Sequence, residues 1–367
     1  MTASMRAAVL HPETAGMRVE PVDVAAPGAE EVLVRTAATG LCHSDFHFVD
    51  GSWPIPRPCV LGHEGAGVVE AVGPGVADFE VGDHVVTCLS MSCGECVICL
   101  GGRSFLCVEG HSLRTRPAGQ PPRLSLGGRE LHQFVGLATF AERMLVHRRA
   151  LVRIRRDMPL DRAALLGCGV LTGTGAVFRT AGVRPGSSVV VVGCGGIGMA
   201  AVQAARIAGA TLVIAVDTEP RKLAWATELG ATHTVDPADG DPVEQVHELT
   251  GGGAEFTFEA IGLSRTVEQC VAMAARGGTA TVIGMLPHGA RVEIDGAELF
   301  FHGKRLQGSL MGSNVFRRDV PQLVDLYLEG RLRLDEMVSL RLDLDRINEG
   351  YEAMLAGDVV RAVVEFA

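Results

Sequence analysis

Residues 188–198 read SVVVVGCGGIG, and residues 199–217 continue as MAAVQAARIAGATLVIAVD. Val189–Val192 is a run of β-branched residues suited to a buried strand. The glycine cluster after it ends the strand, and the alanine-rich stretch is a strong helix former. Strand, G-x-G-x-x-G and helix in this order form a dinucleotide-binding turn. Gly193 permits the tight turn, Gly195 lets a pyrophosphate approach the backbone, and Gly198 lets helix and strand pack closely. Gly196 and Ile197 complete the loop, where the helix N-terminus offers free N–H groups and its positive dipole end. Asp217 closes the next strand nineteen residues after Gly198. There it can accept hydrogen bonds from adenosine ribose hydroxyls and repel a 2′-phosphate, so NAD is expected over NADP.

The same stretch resembles a membrane span, because Ser187–Ala205 carries no charge for nineteen residues. Four glycines in its middle argue instead for a strand that turns into a helix.

Outward from this turn, strands and helices alternate. Residues 188–192, 211–216, 232–235, 255–259, 279–284 and 305–310 read as six strands, with helices at 197–209, 220–229, 242–249 and 264–275. The sixth strand follows a longer crossover. This alternation predicts an α/β fold with a doubly wound parallel six-stranded sheet. The first 150 or so residues differ. Short apolar runs at 6–10, 32–38, 67–72 and 84–87, broken by Gly, Pro and acids, predict a β-rich, barrel-like domain. Residues 108–131 are polar and rich in Pro and Gly and read as a long loop. The last 55 residues return to mixed helix and strand.

The 367 residues are 47% hydrophobic and 21% charged, which suits a globular enzyme and excludes disorder. A net charge of −10 disfavours nucleic acid or an anionic membrane as partner. No basic start followed by an apolar run opens the sequence, so a cytoplasmic location is expected. The ten cysteines then point to metal ligation or catalysis, not to a disulfide framework.

Cys93, Cys96, Cys99 and Cys107 lie within fifteen residues. Four thiolates so spaced can close a tetrahedral shell around a structural Zn²⁺, with an iron–sulfur cluster as a minor alternative. A second constellation is dispersed. Cys42, His43, Ser44, Asp45 and His47 sit in one segment, His63 and Glu64 follow Gly62, and Cys168 lies between Gly167 and Gly169. Two cysteines and one histidine make a catalytic-type zinc shell with one open position. Cys59, Cys88, Cys194 and Cys270 read as ordinary buried cysteines.

Together, GLCHSD (40–45), GHEGAG (62–67), the four-cysteine loop, LLGCGV (165–170), VVGCGGIG (191–198), VDTEPRK (216–222), FTFEAIG (256–262), INEGYEAM (347–354) and VVRAVVEF (359–366) resemble the zinc-containing alcohol dehydrogenases of the medium-chain dehydrogenase/reductase superfamily. The resemblance covers nearly the whole chain. It implies a GroES-like catalytic domain over 1–169 and 311–367, and a Rossmann domain over 170–310 that binds NAD. It implies two zinc ions per chain: a catalytic one on Cys42, His63 and Cys168, and a structural one on Cys93, Cys96, Cys99 and Cys107. Asp45 then matches the acid that orients the zinc-bound histidine, and Glu64 an acid beside the metal. Lys222 matches a ribose-contacting lysine, and His43 and Arg361 match residues that neutralise the pyrophosphate. Ser44 and His47 match a proton relay. Trp53, Leu89, Phe134, Met285 and Leu310 match substrate-pocket positions, where Ser44 and Leu89 leave room for a medium or bulky, apolar primary alcohol.

Two other functions compete. One is formaldehyde oxidation dependent on a thiol such as mycothiol or glutathione. The glutathione version is weakened because Trp53 and Ile55 stand where that group has acids, and His111 where it has an arginine. The other is a non-catalytic zinc- or nucleotide-binding protein on the same scaffold. The resemblance also implies a homodimer or homotetramer joined through the sixth strand.

Overall fold

The computed structural model describes residues 3–14, 16–117 and 119–367. The chain divides into two compact units. One comprises the residues up to Cys168 together with Val315–Leu328 and Leu334–Ala367; the other comprises Gly169–Asn314 and Glu329–Arg333.

The second unit is built on an all-parallel six-stranded sheet. Its strands lie in the order His233–Val235, Leu212–Val216, Ser188–Val192, Ala254–Glu259, Ala274–Val282 and Arg305–Gly308. In chain order this is 3-2-1-4-5-6, which reverses between the first and fourth strands and opens a ligand crevice at their carboxyl ends. Val190, Val192, Ile214, Val216 and Val271 form its core, and Cys270 packs among them as an ordinary buried thiol. The uncharged stretch 187–205 splits as its glycines require, into the strand Ser188–Val192 and the helix Gly196–Ile207. Among the described residues no single helix is long and apolar enough to cross a membrane.

The sixth strand ends at Gly308, short of the expected 310, because Leu310–Ser313 winds into a kinked 3-10 turn. This turn stays with the second unit. The Thr180 hydroxyl hydrogen-bonds both Ser309 and Ser313 at 2.8 Å, and Gly175 lies so close that a Cβ on it would stand 2.3 Å from the Gly312 carbonyl. The units therefore divide at Asn314/Val315, a few residues beyond the expected 310/311.

The first unit contains two sheets. The larger has the order Leu151–Arg153, His84–Thr87, Glu64–Val72, Glu31–Gly40, Arg361–Glu365 and Val338–Leu342, with Arg143–His147 also pairing Glu31–Gly40. The C-terminal strand thus lies antiparallel to Glu31–Gly40, with Val363 opposite Gly40. The smaller sheet surrounds Ala3–Leu10, which pairs Met17–Val24 and Cys59–Val60.

The expected long loop at 108–131 is instead folded. Val108–Arg114 coils as a 3-10 helix, and Leu124–Leu126 joins the smaller sheet beside Met17–Val24. Its anchor is the buried carboxylate of Glu31, 3% exposed, which accepts from Arg123 Nε at 2.7 Å and Arg116 Nε at 3.0 Å. Burial opposes this charge, but the two guanidinium groups and the Gly28 N–H hold the carboxyl below its usual range. An ion pair closed across 92 residues leaves no local trace in the sequence.

Candidate metal centres and nucleotide loop

Cys42 caps the short helix His43–Val49 in extended conformation, so its side chain leaves the backbone where the strand Glu31–Gly40 has just ended. His63 precedes the strand Glu64–Val72, in a turn that needs glycine. Gly62 has φ +90°, and a Cβ there would stand 2.5 Å from Thr139 Oγ1. Cys168 sits between the 3-10 turn Leu165–Gly167 and the helix Gly169–Gly175. The fold converges these segments. Ligand atoms of Cys42, His63, Glu64 and Cys168 all lie within 4.8 Å of one another, and all four residues are buried.

The ring of His63 is fixed from behind. Asp45 Oδ1 lies 3.0 Å from Nδ1 and also accepts the Gly62 N–H at 3.1 Å. That leaves Nε2 as the buried nitrogen without a hydrogen-bond partner. A carboxylate on one nitrogen and an open second nitrogen is the arrangement a metal-ligating histidine requires. Hydrogen bonding to Cys168 and the neighbouring His63 hold Cys42 well below the usual thiol range, while Cys42 and burial push Cys168 up. Two thiols and one imidazole whose Nε2 is unpartnered, all buried, fit Zn²⁺ with an open fourth position.

Beside them lies a residue that spacing left far away. The Arg361 guanidinium, 7% exposed, donates to the Glu64 carboxylate. Burial works against the Arg361 charge, but Glu64, Cys42 and Cys168 outweigh it and raise the guanidinium. Gly40 makes room for the pair, since a Cβ there would stand 2.2 Å from Glu64 Oε2.

The four-cysteine loop is already shaped as a shell. Sulfur–sulfur separations are 3.5 Å for Cys96–Cys99, 3.6 Å for Cys93–Cys107, and 3.9 Å for both Cys93–Cys99 and Cys96–Cys107. Sulfurs about 2.3 Å from one Zn²⁺ in a tetrahedron lie about 3.8 Å apart, so the observed set fits. Backbone N–H groups of Glu95 and Cys96 point at Cys93 Sγ, at 3.4 and 3.3 Å. Arg149 Nη1 holds the loop by its Ser92 and Cys93 carbonyls.

In the nucleotide loop the glycines play separate roles. Gly193 has φ +95°, and a Cβ on Gly198 would stand 1.8 Å from the Gly193 carbonyl. Gly195 has nothing within 4 Å of its Cβ position, leaving an open cradle before the helix Gly196–Ile207. The carboxylate of Asp217 accepts from Cys194 N at 2.7 Å and Glu219 N at 3.0 Å, which ties the second strand's end to the glycine loop. Lys222 lies in the first turns of the helix Pro220–Glu228, partly buried.

Ser44 and His47 share the helix of Asp45, three residues apart and both partly buried, while His43 is exposed. Phe134 packs against the metal cluster, its ring 5.8 Å from that of His63. Leu89 is partly buried, and Trp53 donates its backbone N–H to the His47 carbonyl at 2.9 Å. Met285 and Leu310 belong to the second unit, 40% and 55% exposed.

Two residues escaped the sequence reading. Thr87 receives the Gly65 N–H at 2.9 Å and donates to the His63 carbonyl at 3.3 Å, bracing the metal turn. Glu259, buried where the fourth strand ends, gathers Ile261 N, Gly262 N and the Thr266 hydroxyl on one oxygen. FTFEAIG contained the second signal; nothing in the sequence marked the first.

Comparison with known proteins decides the family. Residues 28–156 match the alcohol dehydrogenase GroES-like domain, and residues 196–329 match the zinc-binding dehydrogenase domain. An alcohol dehydrogenase class-3 from Cereibacter sphaeroides is 37% identical over 98% of this chain and 99% of its own. The chain belongs to the zinc-containing alcohol dehydrogenase family. It is an oxidoreductase of medium-chain dehydrogenase architecture, with a GroES-like domain and a Rossmann sheet. Among solved structures, an alcohol dehydrogenase zinc-binding domain protein from Burkholderia ambifaria matches with a TM-score of 0.95 at 39% identity. Benzyl alcohol dehydrogenase from Acinetobacter calcoaceticus matches with a TM-score of 0.94 at 33% identity. Both matches cover 100% of each chain.

Proposed function

We propose that this alcohol dehydrogenase oxidises a medium or bulky, apolar primary alcohol to its aldehyde with NAD as acceptor, and that it carries two zinc ions per chain. The observation that carries this reading is the buried convergence of Cys42, His63 and Cys168, with His63 Nε2 unpartnered and Nδ1 held by Asp45.

Cys42, His63 and Cys168 hold the catalytic ion, and Cys93, Cys96, Cys99 and Cys107 the structural one. When bound, Zn²⁺ supplies a Lewis acid that lowers the alcohol's pKa, and NAD supplies the hydride acceptor. Asp45 fixes the His63 tautomer and orientation. Glu64 and Arg361 offset each other's charge next to the thiolates, with Glu64 near enough to exchange into the shell. Ser44 Oγ takes the substrate's hydroxyl proton, and His47, on the same helix, passes it to solvent. The cradle at Gly195 and the following helix N-terminus receive the pyrophosphate, with His43 and Arg361 near the phosphates and Asp217 and Lys222 on the adenosine ribose. Trp53, Leu89, Phe134, Met285 and Leu310 are the side chains proposed to face the substrate. The apolar character of these positions and the likeness to a benzyl alcohol dehydrogenase support an aromatic or aliphatic alcohol.

Arg305–Gly308 is the last strand of its sheet, with Phe300 and Phe301 exposed just before it. We propose that a homodimer or homotetramer joins there, because pairing two edges removes both from solvent. Ten cysteines without a disulfide fit the reducing cytoplasm.

The deciding experiment is an NADH-formation screen over primary and secondary alcohols, with and without added low-molecular-weight thiols, alongside zinc analysis. Thiol-independent oxidation and two zinc ions are expected. Formaldehyde turnover seen only with added thiol would transfer the assignment to the thiol-dependent reading. No turnover by zinc-loaded protein would favour a binding role.

A further inference from the structure

The helix Ile347–Leu355 carries Tyr351 into the core of the first unit, where it is 3% exposed. Its ring lies 5.8 Å from that of Phe46 and 6.4 Å from that of Phe140. A phenylalanine would satisfy this packing equally well, whereas a buried phenol needs an acceptor for its O–H. The Tyr351 hydroxyl has no hydrogen-bond partner among the described residues. Nor does Asp45 Oδ2, although its sister oxygen serves both His63 and Gly62.

The helices that carry the two orphans touch. Asp45 directly precedes Phe46, on which Tyr351 packs. Burial does most to push the phenol up, and among the surrounding charges Asp45 comes first, ahead of Cys42 and Glu64. A donor lacking an acceptor and an acceptor lacking a donor, both buried, each cost free energy unless they find a partner. A buried water with two polar partners is one means by which such groups are joined.

We infer that the Tyr351 hydroxyl donates to Asp45 Oδ2, directly or through one buried water, and that Tyr351 is thereby a positioning residue for His63. The chain Tyr351–Asp45–His63 stiffens the carboxylate that aims Nε2. Partners of a ligating histidine are worth roughly 10–100-fold in metal affinity, and Tyr351 acts one step farther out. This inference rests on reading Cys42, His63 and Cys168 as the zinc ligands.

The test compares full-length, zinc-loaded wild type with Tyr351→Phe, Asp45→Asn and the double variant. Three quantities are measured: zinc release to a chelator, the melting temperature, and the visible bands of cobalt-substituted enzyme. Tyr351→Phe is expected to release catalytic-site zinc about 3–10-fold faster, to melt below wild type and to shift the cobalt bands. In the Asp45→Asn background the same change should add almost nothing, because the cycle isolates the pair. Should Asp45→Asn fail to fold, the cobalt spectrum of Tyr351→Phe decides. An unpartnered hydroxyl has the opposite sign, since deleting an orphan donor stabilises. A variant that melts above wild type with unchanged zinc release and cobalt bands would overturn the inference while leaving the zinc reading intact. Wild type without metal at the three ligands would remove both.

Discussion

The Arg361 guanidinium sits on the carboxylate of Glu64, the residue next to His63, although 297 positions separate the two in the chain. Neither partner has water to fall back on, with Glu64 at 0% and Arg361 at 7% exposure. Two consequences follow from a buried ion pair. Its net contribution is small, yet breaking one side leaves an uncompensated charge.

Arg361→Met should therefore destabilise the protein by about 3–5 kcal/mol. Adding Glu64→Gln should recover most of that loss. Urea unfolding of wild type, both singles and the double provides the comparison. A double variant no more stable than Arg361→Met would show that the pair does not act as a unit.

The glycine loop separates folding from binding. Gly195→Ala places a methyl where nothing lies within 4 Å, at φ −77°, so it should melt like wild type. The same methyl occupies the pyrophosphate cradle, and NAD affinity should fall by about tenfold or more. Gly198→Ala drives a Cβ to 1.8 Å from the Gly193 carbonyl and should lose stability together with NAD. Calorimetry with NAD titration distinguishes them. Equal NAD affinity in Gly195→Ala and wild type would place the phosphates elsewhere.

Asp217→Ser should weaken NAD and relax the rejection of NADP, measured as the ratio of kcat/KM for the two cofactors. Because Asp217 also holds Cys194 N and Glu219 N, some loss of melting temperature is expected as well. An unchanged cofactor ratio would count against its contact with the ribose.

Ser44→Ala should lower kcat by about 10²-fold while both zinc ions remain, since the hydroxyl moves a proton and holds no metal. Steady-state kinetics with zinc analysis checks this, and wild-type turnover would exclude Ser44 from the relay.

Cys107→Ser should lower zinc content from two ions to one and cause aggregation at lower temperature. The three remaining sulfurs cannot close the tetrahedral shell. Retention of two zinc ions would mean that the loop does not bind the metal through this sulfur.

Sequence alone determined what local chemistry controls. The six strands of the nucleotide unit followed from their apolar runs. The roles of Gly193 and Gly198 followed from a turn contained in a few residues, and the four-sulfur shell from cysteines on one loop. Their interactions are short-range, so spacing is nearly geometry. Cys42, His63 and Cys168 could be nominated by residue type and resemblance, but they meet only because strand register and a left-handed glycine turn bring Cys168 to two residues more than a hundred positions before it. Tertiary structure alone decided the Glu64–Arg361 pair, the Glu31 anchor that folds 108–131, and the burial of the Tyr351 hydroxyl. Each is a buried polar group whose partner is chosen by long-range packing in a low dielectric, and no periodicity along a single strand or helix encodes that choice.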